Sequence, residues 1–281
     1  MHKKPVNHGD IPSFFDMSKQ NSDTMRPDDK GRQFVTALAR GLQILSCFSA
    51  NARELSGAQL AKLTGLPQPT VWRLCHTMLQ LGVLIRTEGD RLRPGLPVLQ
   101  LGHSALAGFD IVELARPHMQ EIATRYRAAC GLAVPQGLHM VMIERCHGDN
   151  PLLTNLRRGS TVPISSSGLG WSYLAGTPAV DREPIFAAIE REDGERWEKC
   201  HAAFSAALAE YEETGFIVNS GSFHPDYHNI AVPIFNAQGQ FHCGINCGAP
   251  LSTLSPTQLR NDVAPRLLAL ARMLEASRVL E

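Results

Sequence analysis

Four residues, Thr64-Gly65-Leu66-Pro67, separate two helical periodicities and constrain how this part of the chain can fold. Glycine enters the left-handed conformation at little cost, and proline can open a helix but not sit inside one, so the pair ends one helix and starts another. Upstream, Ser56 and Gln59 have capping-box spacing, in which the serine oxygen and the glutamine carboxamide satisfy free N–H groups at a helix start near Gly57. Downstream, Pro69 fits only within a first helical turn, and Val71, Leu74, Cys75, Met78 and Leu81 recur at helical spacing. The pattern predicts a short helix, a tight turn and a second helix with one buried face.

The other face of the second helix carries Gln68, Thr70, Trp72, Arg73, His76 and Gln80. A helix that only completes a core more often shows Glu and Lys there; near the first turn, glutamine can read adenine and arginine guanine. The alternative is a helical hairpin with an ordinary solvated face. The next residues, VLIRTEGDRLRP at 83–94, alternate around Glu88-Gly89-Asp90 and predict a β-hairpin bearing Arg86, Arg91 and Arg93. A hairpin directly after a recognition helix is a wing, and its arginines suit phosphates or a narrow minor groove. Between Arg32 and Gly95 eight basic residues face three acidic ones, a net charge of plus five, while the whole chain has 27 of each sign. The remainder therefore carries minus five, and charge sorted this way favours a nucleic-acid partner for the basic segment.

These blocks, together with VTALARGLQILSCF before them and GFIVNSGSFHPDYHNIAVPIFNAQGQ far downstream, resemble the IclR family of bacterial transcription regulators over roughly residues 33–278. The resemblance implies an α+β chain with an N-terminal winged helix-turn-helix, a linker helix and a C-terminal GAF-like effector domain built on a mostly antiparallel sheet. It implies double-stranded operator DNA and a small organic acid as partners, and a homodimer or dimer of dimers as the assembly. Gln68, Thr70, Trp72 and Arg73 are then expected in the major groove, and Arg86, Arg91 and Arg93 on the backbone or minor groove. The expected boundaries are an arm at 1–31, the winged domain at 32–95, the linker helix at 96–109 and the effector domain at 110–281.

At 281 residues the chain is long enough for two modest domains, each with its own core. No run of about 18 apolar residues is present to span a membrane. The N-terminal MHKKPVNHGDIPSFFDMSKQ lacks the apolar stretch of a secretion signal, so a cytoplasmic protein is expected. Seven cysteines without metal-ligand spacing then read as free thiols, with Cys243 and Cys247 the one close pair, four apart on a predicted strand and able to share a face. Residues 1–31 show no periodicity and read as a disordered arm, within which Met17 and Met25 leave later starts open. At 34–50, Val35, Leu38, Leu42, Leu45 and Phe48 form a helical stripe expected to support the two helices above. Residues 96–107 are apolar on more than one side of the helical wheel, so a helix there needs cover from two directions; the family arrangement implies a partner chain.

Asp110 is placed to cap a helix with Ile111, Leu114, His118, Ile122 and Tyr126 on its stripe and an interruption at Pro117. Strands are predicted at 132–135, 139–145, 152–156, 230–235 and 241–246, with helices at 169–175, 182–190 and 200–214 between them. A last helix is opened by Ser255, Pro256 and Gln258 and carries Leu259, Val263, Leu267, Leu270 and Leu274 on one face. Strand runs broken by helices make an α+β domain with a mostly antiparallel sheet.

Within that domain, VPISSSGLGWSYLAG is the most informative stretch. Serines and a glycine precede a helix, so free N–H groups and the helix dipole meet at Ser166, Ser167, Gly168 and Leu169, where a carboxylate would be stabilised. The same serines serve as an ordinary cap on the competing reading. The family resemblance implies effector contacts at Gly168 and Leu169 and adds Asn219, Asn229, Asn246 and Gly248. Many members carry an acid, a glycine or cysteine, and serines at the last four; here three carboxamides make a neutral pocket of donors and acceptors. No basic residue falls on the matched positions, and Trp171, Tyr173, Phe223 and His228 are expected as an aromatic wall. The motifs GxSxG, HExxH, complete GxGxxG and GxxxxGK[ST] are all lacking, so no catalytic residue, metal or cofactor is expected. The resulting expectation is a transcription regulator controlled by a small carboxylic or aromatic acid. The competing one is a winged-helix interaction module whose GAF-like domain dimerises without a ligand.

Overall fold

The computed structural model describes residues 34–49, 52–150 and 156–277, which fall into two compact units dividing between Ala107 and Gly108. The expected arm at 1–31 and nearly all of the strand expected at 152–156 lie outside the described residues.

In the first unit α1 (Thr36–Ser46), α2 (Gly57–Thr64) and α3 (Gln68–Gln80) pack around Ile44, Leu60, Val71, Cys75 and Met78. The capping box is closed: Ser56 Oγ accepts from Gln59 N at 3.3 Å, and Gln59 Oε1 accepts from Ser56 N at 2.9 Å. Gly65 ends α2 at φ +68°, the left-handed conformation anticipated for it, and Pro69 lies in the first turn of α3. Strands β1 (Leu55–Ser56), β2 (Leu84–Arg86) and β3 (Arg91–Pro94) form an antiparallel sheet in the order β1-β3-β2, with β2 and β3 as the wing. The two-residue β1 is too short to show an alternation and has no sequence signal.

Two expectations need correction here. The α1 stripe divides, because the contact with α2 and α3 is narrower than the apolar face: Leu45 and Phe48 pack inward beside Ile44, whereas Val35, Leu38 and Leu42 are exposed. Leu81, expected in the core, is exposed because α3 has already ended. The helix at the end of this unit, α4 (Leu96–Leu106), buries none of its residues, and Leu96, Leu99 and Leu101 are 76%, 68% and 68% exposed.

The second unit is built on a six-stranded, wholly antiparallel sheet, consistent with the expected α+β class. Its strands are β4 (Ala129–Gln136), β5 (His139–His147), β6 (Thr161–Pro163), β7 (Ile217–Ser220), β8 (Tyr227–Phe235) and β9 (Phe241–Pro250), in the order β6-β5-β4-β9-β8-β7. One face receives α5 (Ile111–Tyr126) and α9 (Ala264–Glu275); the other receives α6 (Gly168–Gly176), and α7 (Ala179–Thr214) packs against α6 and the edge strand β7. Trp171, Trp197 and Phe204 fill the space between α6 and α7, and each such side chain contributes about 1.5–3 kcal/mol by burial.

Helix α5 runs unbroken through Pro117, and its buried stripe is Ile111, Ala115, Met119 and Ile122; His118 is exposed and Leu114 and Tyr126 only half-buried. Asp110 stands at the start of α5 but its carboxylate makes no capping bond. The two helices expected at 182–190 and 200–214 are joined as α7, with a break at Asp193 (φ −139°), whose carboxylate accepts from the Ser165 hydroxyl. At the C-terminus Ser255 caps α8 (Pro256–Gln258), which passes through a wider turn at Leu259–Val263 into α9, and the four leucines and one valine expected on its face are all buried. Glu144 is a buried carboxylate held by Arg116 of α5 at 3.2 Å, by Arg158 and by the N–H of Arg145 at 2.7 Å, tying helix, strand and the 156–160 segment together. No helix among the described residues is long and apolar enough to cross a membrane.

Candidate nucleic-acid surface and small-molecule site

On the outer face of α3, Gln68, Trp72 and His76 follow one another at single-turn spacing. Trp72 is 67% exposed and its ring stacks on His76, with centroids 5.4 Å apart and planes 16° off parallel. These three residues and Arg86 of the wing border a groove of about 330 Å³. Thr70 and Arg73 lie on the other shoulder of α3, beside Thr77 and toward α1. The four helix residues expected to act together are thus spread over two sides of an exposed ridge, and His76 joins them through its ring contact.

The wing arginines are also divided. Arg86 pairs with Leu92 across the hairpin, so it shares the face that Leu92 buries against the core, whereas Arg91 and Arg93 occupy the opposite face. Arg86 is held by Asp90 at 2.5 Å, and Arg91 donates to the Glu54 carbonyl at 3.3 Å. Arg91 and Arg93 can be assigned to one face by their spacing; the position of Arg86 needs the strand register.

Register also builds the small-molecule site. On the α6 face of the sheet one row of facing residues runs Asn219, Asn229, Gly248, Ala129, His147, and the next runs Ile217, Ala231, Asn246, Gly131, Arg145. Gly248 is at the centre of the first row, and in the second Ala231 and Gly131 flank Asn246, with Asn219, Asn229 and Arg145 further out. The N-terminal turn of α6 closes this hollow from above. Ser167 Oγ accepts from Gly170 N at 3.0 Å, and Asn219 Nδ2 donates to the Ser166 carbonyl at 3.0 Å, fixing the turn to the sheet. Gly168 is required there, since a Cβ would overlap the Asn229 carboxamide oxygen.

Between roof and floor lies a cavity of about 20 Å³, room for a water molecule. Of the expected effector residues, Ser167, Gly168, Leu169, Asn229 and Asn246 line it; Ser166, Asn219 and Gly248 stand behind that lining. The Oδ1 atoms of Asn219, Asn229 and Asn246 are buried and have no hydrogen-bond partner among the described residues. Buried acceptors left this way cost about 1–3 kcal/mol each, which a ligand offering donors can recover.

The aromatic wall is not as expected. Trp171 is core, its Nε1 donating to the Ser165 carbonyl at 3.0 Å, and Tyr173 packs edge-on against Phe241. His228 lies on the opposite face of β8, where burial lowers its pKa. Phe223 alone of the four reaches the cavity, joined by Tyr227, whose hydroxyl pKa is pushed up to about 12 by burial despite the Arg145 guanidinium beside it. Arg145 is a charged lining residue that was not among those expected. It lies 3.0 Å from where a Gly131 Cβ would stand, brought there by the pairing of β4 with β5. Among the described residues no group of three His, Cys, Asp or Glu side chains is placed to hold a metal.

Two family models match the chain: the IclR helix-turn-helix domain over residues 37–88, and the bacterial transcriptional regulator IclR C-terminal domain over residues 103–276. The HTH-type transcriptional regulator TsaQ1/TsaQ2 of Comamonas testosteroni is 30% identical over 251 residues, covering 88% of this chain and 90% of that protein. An IclR family regulator from Brucella abortus superposes with a TM-score of 0.75 at 33% identity, over 89% of this chain and 95% of the other. An IclR homologue from Microbacterium hydrocarbonoxydans, solved with 4-hydroxybenzoate, has the same fold with a TM-score of 0.66 at 21% identity, over 85% of this chain and 100% of the other.

Proposed function

The chain belongs to the IclR family of bacterial transcriptional regulators, and from that membership we propose that its second unit senses a small organic acid that controls how the first unit holds operator DNA. It is a DNA-binding regulator and not an enzyme. The observation that carries the sensor reading is the set of buried, unpartnered carboxamide oxygens beneath the α6 N-terminus, above a floor of glycine and alanine. Such groups are tolerated where a ligand completes them. The Microbacterium homologue, solved with 4-hydroxybenzoate, supports an aromatic acid.

Gln68, Trp72 and Arg86 would contact DNA along one side of α3 and Thr70 and Arg73 along the other, while Arg91 and Arg93 hold backbone or minor groove. The working boundaries are 32–95 for the winged domain, 96–109 for the linker helix and 110–281 for the effector domain. The exposed leucines of α4 support a homodimer or a dimer of dimers, acting in the cytoplasm on a palindromic operator. The effector shifts the balance between two arrangements of the winged domains, which requires different affinities for the two.

The test is binding of the purified protein to fragments of its own genomic neighbourhood at two salt concentrations, with and without a panel of aromatic and aliphatic acids. Specific binding altered by one acid supports the sensor-regulator. Specific binding indifferent to every acid that binds the protein removes effector control. Specific binding with no acid binding favours a ligand-free dimerisation domain.

A further inference from the structure

The cavity has two unlike ends. At one, the first turn of α6 meets Asn229, whose carboxamide oxygen is wedged against Gly168 where the free N–H groups of the helix would otherwise hold an anion. That oxygen is an acceptor, buried, and without a partner among the described residues, so this end suits a neutral group that can donate. Asn229 and Asn246 are only 3% and 6% exposed and both line the cavity.

At the other end stands Arg145, the only charged side chain among the described residues of the lining. Its guanidinium reaches back over Gly131, close to the same point as Asn246 Oδ1, at 3.0 Å and 2.7 Å from the position of a Gly131 Cβ. A planar guanidinium is matched to a carboxylate, which it can hold through two parallel bonds. Gly131 on β4 and Asn229 on β8 are separated by β9, two strand spacings or about 10 Å before side-chain length is subtracted. Gly131, Gly248, Ala129 and Ala231 add little side chain of their own to the floor between these ends, where Asn246 is the one large residue; Leu169 and Phe223 also line the cavity.

We propose that Arg145 anchors the acid group of the effector while the α6 end takes its uncharged tail, so that the ligand is a flat aromatic monoacid with a hydroxyl-type group remote from the carboxylate. This rests on the reading of the cavity as an effector site and assigns the ligand a direction within it. The acid points away from the helix N-terminus, the reverse of what the serine and glycine sequence leading into α6 would suggest. The cavity as it stands holds no more than a water, so its lining must open to admit such a ligand.

Calorimetry on the full-length protein with 4-hydroxybenzoate, benzoate, 4-hydroxybenzamide and pyruvate tests this. The wild type should prefer 4-hydroxybenzoate over both 4-hydroxybenzamide and benzoate, the former by about tenfold or more. Arg145→Gln should abolish the preference for acid over amide while still binding the amide, and Arg145→Lys should keep part of it. Asn229→Leu should bring 4-hydroxybenzoate down to the level of benzoate. Melting temperatures of the unliganded variants within a few degrees of wild type show that the pocket is intact, and binding of the amide by Arg145→Gln shows it a second time. Equal acid binding by wild type and Arg145→Gln overturns the anchor but leaves the sensor reading standing, as does a wild type that takes pyruvate and no ring acid. A wild type that binds none of the acids overturns both.

Discussion

A methyl group added at Gly168 would overlap the carboxamide oxygen of Asn229, so either that carboxamide must turn aside or the first turn of α6 must lift from the sheet. Gly168→Ala should therefore cost about 1–3 kcal/mol of stability in urea unfolding, the range of overpacking in a tight interior, and should also abolish any rise in melting temperature with the effector. Stability at the wild-type level would mean that the turn or the Asn229 carboxamide gives way without cost. A second prediction concerns the histidines. Burial lowers the pKa of His139, His147, His228 and His242 from the ordinary 6.5. Each is thus neutral in the fold at a pH where the unfolded chain already takes a proton. Their contribution is fully present above about pH 6.5 and is lost as the pH falls through that value toward the lower folded one. The urea midpoint should fall between about pH 7.5 and 5.5, and His228→Gln should flatten part of that slope. A midpoint that rises on acidification would contradict neutral, buried imidazoles.

Elements defined by neighbours along the chain could be read before the structure. The capping boxes at Ser56 and Ser255, the left-handed Gly65 and the stripe of α9 depend on residues three or four apart, and each is where it was expected. Features defined by strand register could not. Cys243 and Cys247 share a face as their spacing suggests, but the residues facing Cys247 across the ladders are Ile230 and Cys130, the latter more than a hundred positions away. Arg145 enters the cavity by the same kind of pairing, and β6 and β7, of three and four residues, are too short to show alternation. The wing is a further case, and its register carries a prediction. Asp90 neutralises Arg86 on the face toward α3, while Arg91 and Arg93 lie on the other. Asp90→Asn should release Arg86 to a phosphate, tightening DNA binding at low salt and steepening the slope of log affinity against log salt by about 0.9. An unchanged slope would show that Arg86 stays off the backbone.

At the scale of the whole molecule, α4 leaves Leu96, Leu99 and Leu101 exposed in its own unit, a placement that makes sense if a second copy covers them. Leu99→Glu should shift the sedimentation profile toward the monomer and weaken operator binding more at low protein concentration than at high. The folded content of the variant, read by circular dichroism, should be unchanged, because the side chain supports no core. An assembly of unaltered mass would free α4 from that role. Self-association alone does not make a sensor, however. If an acid in the second unit alters DNA binding by the first by some factor, thermodynamic linkage requires that operator DNA alter the affinity for the acid by the same factor. The two measurements are independent: DNA titrations with and without saturating acid, and acid titrations with and without saturating operator. Both should return one coupling factor, expected at about 5- to 150-fold for a coupling of 1–3 kcal/mol. Arg145→Gln should leave DNA binding of the unliganded protein unchanged and lower the acid affinity in both titrations alike, since Arg145 lies in the second unit and its loss touches acid binding before it touches coupling. Two unequal factors would mean that the acid and the DNA do not act on one shared equilibrium, and that the acid competes at the DNA surface or changes the assembly instead.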